Sequence, residues 1–237
     1  MPTDLTPEKW LDFWEHFKGL PHQIKAVEKL GRHIRKADPL LMLEEAEWVS
    51  DYRGPELEAK PRNPLKVKYM SQRDNASGTG YRECFSSSCA MLACYWGKVS
   101  TDDEYNQVRV SFGDTTSPQA QLATLRHLGL QADFRTDGSP VDLEREINAG
   151  RPAAVGWLHR GRVDAPSGGG HWSVVIGYTA TAWIQNDPNG EALLVPGGYN
   201  PNNRNGAGQV YSRKHWNPRW MPGGSGGWYL TCRGPKQ

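Results

Sequence analysis

Four side chains in this sequence are of types that could do chemistry together: Cys84, His171, Asp187 and Gln72. A thiol becomes a nucleophile when a base stands within hydrogen-bonding reach and a third group orients that base. Cys84 follows the polar, glycine-containing run SQRDNASGTGYRE and opens CFSSSCAMLACYW, which reads as a helix. The first turn of a helix presents amide dipoles that favour a thiolate. Glu83, immediately before it, would work against that charge if it pointed the same way. His171 is the best base. It follows the flexible run SGGG and begins the strand HWSVVIGY, an edge position from which a ring can face a cleft. The next strand, AWIQNDP, ends in Asn186 and Asp187. An antiparallel hairpin brings the end of that strand beside His171, where a carboxylate or a side-chain amide oxygen can fix the ring tautomer. Side chains alternate across a strand, so only one of the two faces the ring, and Asp187 is the preferred one. Gln72 lies upstream of Cys84 in YMSQRDN. Its amide, with the Cys84 backbone N–H, would supply donors to a developing oxyanion.

The remaining cysteines read differently. Cys84, Cys89 and Cys94 are spaced five apart. At 3.6 residues per turn, successive members rotate by about 140° net, so they cannot share one helix face or one ligand set. There is no CxxC pair and no HExxH, so neither a metal nor a cofactor is expected. Cys89 and Cys94 are expected to be packing thiols. Pairing of Cys232 with another cysteine stays open. Among the other histidines, His159 ends a strand and could rim the cleft, His127 reads as helix surface, and His215 as loop packing. Trp172, beside His171, is a candidate substrate contact together with His159 and Asn186.

The elements that must position these groups change character along the chain. Residues 1–50 read as three short helices. Thr6 caps the first, Pro7 takes its first position, and Trp10, Leu11, Trp14 and Phe17 form its apolar stripe. Residues 51–66 hold three prolines and alternating charge, a linker. The main domain is expected over residues 67–237. Three helices should follow the Cys84 helix: one capped by Thr101, one capped by Ser117 and ended by Gly129, one capped by Ser139 and ended by Gly150. Then come strands, PAAVGWLH, HWSVVIGYT, AWIQNDP and GGWYLTCR, with EALLV as a further candidate and a tight turn near Thr179–Thr181. Residues 197–227 read as a long loop. Helices first and strands later argue for an α+β domain.

Bulk properties exclude several classes. The chain has 237 residues, a formal net charge of +2 and 37% hydrophobic residues. No stretch approaches the roughly 20 apolar residues of a membrane span, and the start MPTDLTPEKW is too polar for a secretory signal. The near-even charge does not favour nucleic acid. The composition is tryptophan-heavy, ten against five phenylalanines. Six of those tryptophans lie beyond residue 150, and they are suited both to packing and to platforms for sugars or peptides. Glu44, Glu45 and Glu47 are the obvious carboxylate cluster for a glycosidase, but they read as a solvated helix face.

The order Gln72, Cys84, His171, Asp187 resembles the papain-like C39 peptidase clan, especially the C39-like peptidases. In that family a glutamine precedes a helix start of the type Cys-Gly-Pro-x-Ser-x-Ala-Met, here Cys84-Phe85-Ser86-Ser87-Ser88-Cys89-Ala90-Met91. The family pattern Gly-His-(aromatic)-x-Val-Val-x-Gly-Tyr matches residues 170–178, and its Asp-Pro with a following Gly matches residues 187–190. Phe85-Ser86 stands where the family has Gly-Pro. The resemblance covers roughly residues 67–195. It implies a papain-like fold with an N-terminal helical unit and thiol-dependent cleavage of an amide, with Cys84 as nucleophile and Cys89 at a non-catalytic helix position.

Many relatives in this clan clip double-glycine leader peptides and are fused to transporters, but no transporter segment is present here. The lone domain, the N-terminal helices and the Gly/Asn/Trp-rich loops resemble a phage lysis or tail-associated enzyme. That implies a peptidoglycan stem or cross-bridge peptide as substrate. The protein would wait in the host cytoplasm for holin-dependent release, or sit in a virion tail, and act in the periplasm or cell wall. The alternatives are a soluble cysteine peptidase or amidase on another peptide, and a non-catalytic wall-binding or virion structural protein.

Overall fold

The computed structural model describes residues 63–234. The helical unit expected over residues 1–50 and most of the linker lie outside the described residues. Six strands form one antiparallel sheet: β1 (Gln131–Gly138), β2 (Ala153–Trp157), β3 (His171–Tyr178), β4 (Ala182–Asn186), β5 (Gln209–Ser212) and β6 (Gly227–Arg233). Their order across the sheet is β1-β6-β2-β3-β4-β5, so the last strand inserts between the first two. Among the described residues five α-helices accompany the sheet: α1 (Cys84–Tyr95), α2 (Asp102–Arg109), α3 (Pro118–His127), α4 (Pro140–Asn148) and α5 (Arg213–Trp220).

Alternation along the strands sorts the core into two layers. On one face Ala154, Val174, Ile176 and Leu230 meet α1, whose Phe85, Cys89, Met91 and Leu92 are buried, with α2 and α3 packed outside. On the other, Val155, Trp157, Val175 and Trp183 meet Leu143 and Ile147 of α4 and Trp216 and Trp220 of α5. The result is an α+β sandwich of helices, sheet and helices.

The helix starts follow capping chemistry. Thr101 accepts from the Glu104 N–H, Ser117 from the Ala120 N–H, and Ser139 closes a reciprocal capping box with Asp142. Gly129 and Gly150 end α3 and α4 at φ of 81° and 72°, the left-handed region where glycine is favoured. The first helix has no solvent face along most of its length: every residue from Phe85 to Ala93 is buried. Its serines are tolerated there because two of them find partners. Ser86 Oγ shares a 2.6 Å hydrogen bond with Thr115 Oγ1, and Ser87 Oγ donates to Asp102 at 2.8 Å.

Four segments depart from the sequence reading. Gln131–Gly138 forms β1 although QADFRTDG is polar, because it is an edge strand with most of its side chains in solvent. Gln209–Ser212 and Arg213–Trp220 form β5 and α5 inside what reads as loop, and α5 contains Pro218. EALLV makes no strand and contributes one isolated bridge, Ala192 to Tyr199. At the other end, Leu65 is buried and its N–H donates to Ile176 O at 2.7 Å, so the chain is fastened to β3 before Val67.

Candidate active site

Cys84 is the first residue of α1 and lies half-buried on a groove of about 710 Å³. Glu83 precedes it but does not cap the helix with its side chain. Its carboxylate turns into the preceding loop and accepts from Asn75 at 2.6 Å, Ser77 at 2.9 Å and Thr79 at 2.7 Å. Burial alone would raise the Glu83 pKa. The three hydrogen bonds outweigh burial and hold it below the usual value. Glu83 therefore ties residues 75–79 to the helix start. All four cysteines are unpaired. Cys89 and Cys232 are fully buried, and burial pushes both thiols up, Cys232 to about 12.

His171 is the first residue of β3, and its ring is almost wholly buried. The ring Nε2 lies 2.8 Å from Asp187 Oδ1. A carboxylate only accepts, so Nε2–H donates and Nδ1 is the nitrogen left for the Cys84 thiol. Burial disfavours the charged ring, but the charge and hydrogen bond of Asp187, together with the nearby Cys84 thiol, overcome it and push the pKa up to about 10.

Asp187, just past the end of β4, has no exposure at all. Its Oδ1 also accepts from the Asn189 N–H at 3.0 Å, and its Oδ2 accepts from Tyr211 at 3.0 Å. Its backbone N–H donates to Gly206 O at 2.8 Å. Gly206 is required by close approach, since a Cβ there would lie 1.7 Å from Asp187 O. Asn186 points elsewhere: its Nδ2 donates to Val67 O and its Oδ1 accepts from the Gly208 N–H. Of the two residues that sequence left competing for His171, Asp187 is the one beside the ring, and Asn186 serves the loops.

Gln72 is the buried residue of an otherwise exposed 3-10 turn, Gln72–Asp74. Its Nε2 donates to Gly80 O at 2.7 Å, which leaves one amide N–H over. Its backbone N–H donates to Pro188 O, and Arg73 Nε donates to Asn189 O, so this turn is fastened to the loop that carries Asp187. A Cβ on Gly80 would lie 2.0 Å from Gln72 O, so only glycine lets the two segments meet. Among the described residues no protein acceptor takes the Cys84 N–H.

Three rings box His171. Trp157 stands edge-on at 5.4 Å between centroids, Tyr199 at 5.4 Å and His159 at 5.7 Å. Trp157 is locked in turn: its Nε1 donates to Ser173 Oγ at 2.9 Å, and Ser173 donates to Gln185 Oε1 at 2.6 Å. His159 is neutral at ordinary pH, because burial first, then the neighbouring charges of His171 and Arg160, push it down to about 4. Its loop is held by Arg219, a fully buried guanidinium that donates to Leu158 O, Arg160 O, Gly161 O and Leu194 O.

Trp172 lines the groove and stacks on Phe85 with centroids 3.6 Å apart and planes 5° from parallel. The residue after the thiol therefore touches the residue after the imidazole. Tyr199, Tyr211, Gly206 and Arg219 were not expected from sequence, because all four lie in the stretch that reads as loop. The only signal there is the density of aromatic and glycine residues.

The sequence model of the Peptidase_C39 like family matches residues 64–195, more than half of the chain. No curated protein matches. Among solved structures, a putative C39-like peptidase from Bacillus anthracis aligns at 15% identity and a TM-score of 0.51, over 73% of this chain and 96% of that one. A double glycine motif protease from an AMS/PCAT transporter, solved in complex with the leader peptide, aligns at 21% identity and 0.47, over 74% and 96%. The peptidase domain of Streptococcus ComA, a bifunctional ABC transporter, aligns at 16% and 0.48, over 72% and 99%.

Proposed function

The chain belongs to the Peptidase_C39 like family, a family of cysteine peptidases, and we propose that its own reaction is amide hydrolysis by Cys84 with His171 and Asp187. The observation that carries this reading is the 2.8 Å contact of His171 Nε2 with a fully buried Asp187, with the Cys84 thiol as the ring's other hydrogen-bonding neighbour. Thiolate, not thiol, is the attacking species, and an imidazolium ring provides its counter-charge. The thiolate adds to the substrate carbonyl. The second Gln72 N–H and the Cys84 N–H receive the oxyanion. His171 Nδ1–H then protonates the departing amine, leaving a thioester on Cys84. Water gives its proton to the neutral ring and attacks the thioester, which releases a carboxylic acid and restores the pair. Asp187 keeps the ring in the required tautomer throughout.

For the substrate we propose a peptidoglycan stem or cross-bridge peptide, reached by holin-dependent release from a host cytoplasm or from a virion tail. What supports this is a groove walled by glycine backbone and tryptophan, which suits an extended chain of small residues beside a bulky uncharged group. Purified wild type and Cys84→Ala, incubated with sacculi of Gram-negative and Gram-positive origin, test it by mass spectrometry of released fragments. New amine and carboxyl ends from wild type alone are expected, and their masses name the bond. No release from any wall removes the peptidoglycan reading.

A further inference from the structure

Asp187 is fully buried, and a buried carboxylate keeps its charge only if donors take its lone pairs. Two of its donors converge on a single oxygen. The His171 Nε2–H at 2.8 Å and the Asn189 N–H at 3.0 Å both reach Oδ1. Oδ2 has one protein donor among the described residues, the Tyr211 hydroxyl at 3.0 Å. The two oxygens turn together about the last torsion of the side chain, and that torsion is broad for an aspartate. A donor fixed on Oδ2 therefore also sets where Oδ1 meets the ring. With Oδ2 bare, the carboxylate would turn toward water or another donor and draw Oδ1 off the imidazole.

Tyr211 is itself held still. It lies on β5 opposite Trp183 of β4 and is buried. Its oxygen accepts the Ala192 N–H at 3.0 Å, and its one proton is left for an acceptor. Of the two acceptors in reach, Asp187 Oδ2 at 3.0 Å is nearer than Gly190 O at 3.5 Å, and it is the charged one. Burial first, and then the Asp187 charge, push the Tyr211 pKa well above its ordinary value, so the proton stays on the phenol. The Tyr211 ring stands edge-on to Trp157 with centroids 6.1 Å apart, and Trp157 stands edge-on to His171. One residue thus bonds the carboxylate and backs the indole that walls the imidazole. Tyr199, which flanks His171, and Gly206, whose carbonyl accepts the Asp187 N–H, come from the same part of the chain. All three lie beyond residues 64–195, which the family model matches. The carboxylate that orients His171 is therefore held by a segment outside the part that model covers.

We propose that Tyr211 is a positioning residue for the reaction: its hydroxyl holds Asp187 Oδ2 so that Oδ1 stays on His171 Nε2 and Nδ1 stays turned to Cys84. The role rests on the Cys84 reading above, but the contact it describes can be read without any substrate. Tyr211 takes no proton and gives none up. It donates the same hydrogen bond while the ring alternates between its neutral and charged forms. A hydrogen bond to a charged group corresponds to about tenfold to a hundredfold in a rate that depends on it.

Tyr211→Phe removes one oxygen and keeps the ring. Wild type, Tyr211→Phe, Asp187→Asn and the double variant are treated with iodoacetamide at neutral pH, and each cysteine is followed by peptide mapping. The His171 Nε2–H proton is observed by NMR in wild type and Tyr211→Phe. Tyr211→Phe should slow Cys84 about tenfold or more and leave the buried Cys89 and Cys232 as unreactive as in wild type. Added to Asp187→Asn, it should slow Cys84 by less than about twofold, because the two residues act through one contact. The His171 Nε2–H should be protected from exchange with water in wild type and exchange-broadened in Tyr211→Phe. A role in packing alone predicts reactive Cys89 and Cys232, or equal slowing in both backgrounds, and either result overturns the proposal. Site-specific 3-fluorotyrosine at position 211 keeps both hydrogen bonds and donates more strongly, so it carries the test if the phenylalanine variant does not fold. It should move the Nε2–H signal, and an unmoved signal overturns the proposal. A fast Cys84 that is indifferent to Tyr211→Phe overturns the positioning role and leaves the peptidase reading intact. A wild-type Cys84 no faster than Cys94, with a His171 proton that still responds to Tyr211→Phe, supports the Tyr211 contact and overturns the nucleophile instead.

Discussion

Replacing Asp187 with Asn removes one charge and changes little else in volume. In the native protein the two Asp187 oxygens take three donors: the His171 ring, the Asn189 N–H and the Tyr211 hydroxyl. The amide oxygen of Asn can still accept from the ring, but it no longer balances a positive charge. Burial, the largest influence on His171, then works almost unopposed, since Asp187 supplies both of the leading contributions that raise the ring. The titration of His171 should fall from about 10 to below its ordinary value of 6.5. Removing one partner of a buried ion pair costs about 3–5 kcal/mol. At 1.4 kcal/mol per tenfold, that is about 10²–10⁴ in kcat/KM if the imidazolium is needed in the rate-limiting barrier. Nitrogen-15 spectra of the ring between pH 5 and 10 read the titration, and turnover of any amide or thioester substrate that wild type cleaves reads the rate. A variant whose ring stays protonated at pH 8, or whose kcat/KM falls less than tenfold, would refute this reasoning.

Three further outcomes follow from the same contacts. The His171 pKa is raised on folding, so its contribution to stability is complete below about pH 6.5 and fades as pH rises toward about 10; chemical denaturation of wild type and His171→Phe at several pH values should show a stability difference that shrinks over that window. Arg219→Met removes the shared donor of four part-buried carbonyls, and with one to three of them going unpaired at about 1 kcal/mol each, the loss should be about 1–3 kcal/mol, or a Tm lower by about 2–12 °C in a calorimetric scan. Gly80→Ala drives a methyl group into the Gln72 backbone and should displace the Gln72 amide, lowering kcat more than it raises KM in steady-state kinetics.

What the sequence discloses and what it hides divide along a physical line. Thr101, Ser117 and Ser139 announce helix starts because a cap bonds within three residues, and Gly129 and Gly150 announce ends because left-handed backbone is local. His171 and Asp187 are legible as a pair because one hairpin joins them. Strand β1 is not, since its pairing with β6 joins residues about a hundred positions apart and its side chains are mostly polar. The same holds for Tyr211 and Gly206, which reach Asp187 from a glycine- and asparagine-rich stretch. Strand β5 and helix α5 are too short, and α5 too interrupted by Pro218, to show a period. Phe85 in place of the family's glycine reads as a departure in sequence, and acquires a physical role only once it is seen stacked on Trp172.

The most direct measurement needs no knowledge of the substrate. Wild type and His171→Ala are treated with iodoacetamide at neutral pH, and the alkylation rate of each cysteine is followed by peptide mapping. Cys84 should react at least a hundredfold faster than Cys89 and Cys232, which are fully buried, and well ahead of the half-buried Cys94. Loss of His171 should slow Cys84 alone. A Cys84 that reacts no faster than Cys94, or that does not respond to His171, would contradict its assignment as the activated nucleophile.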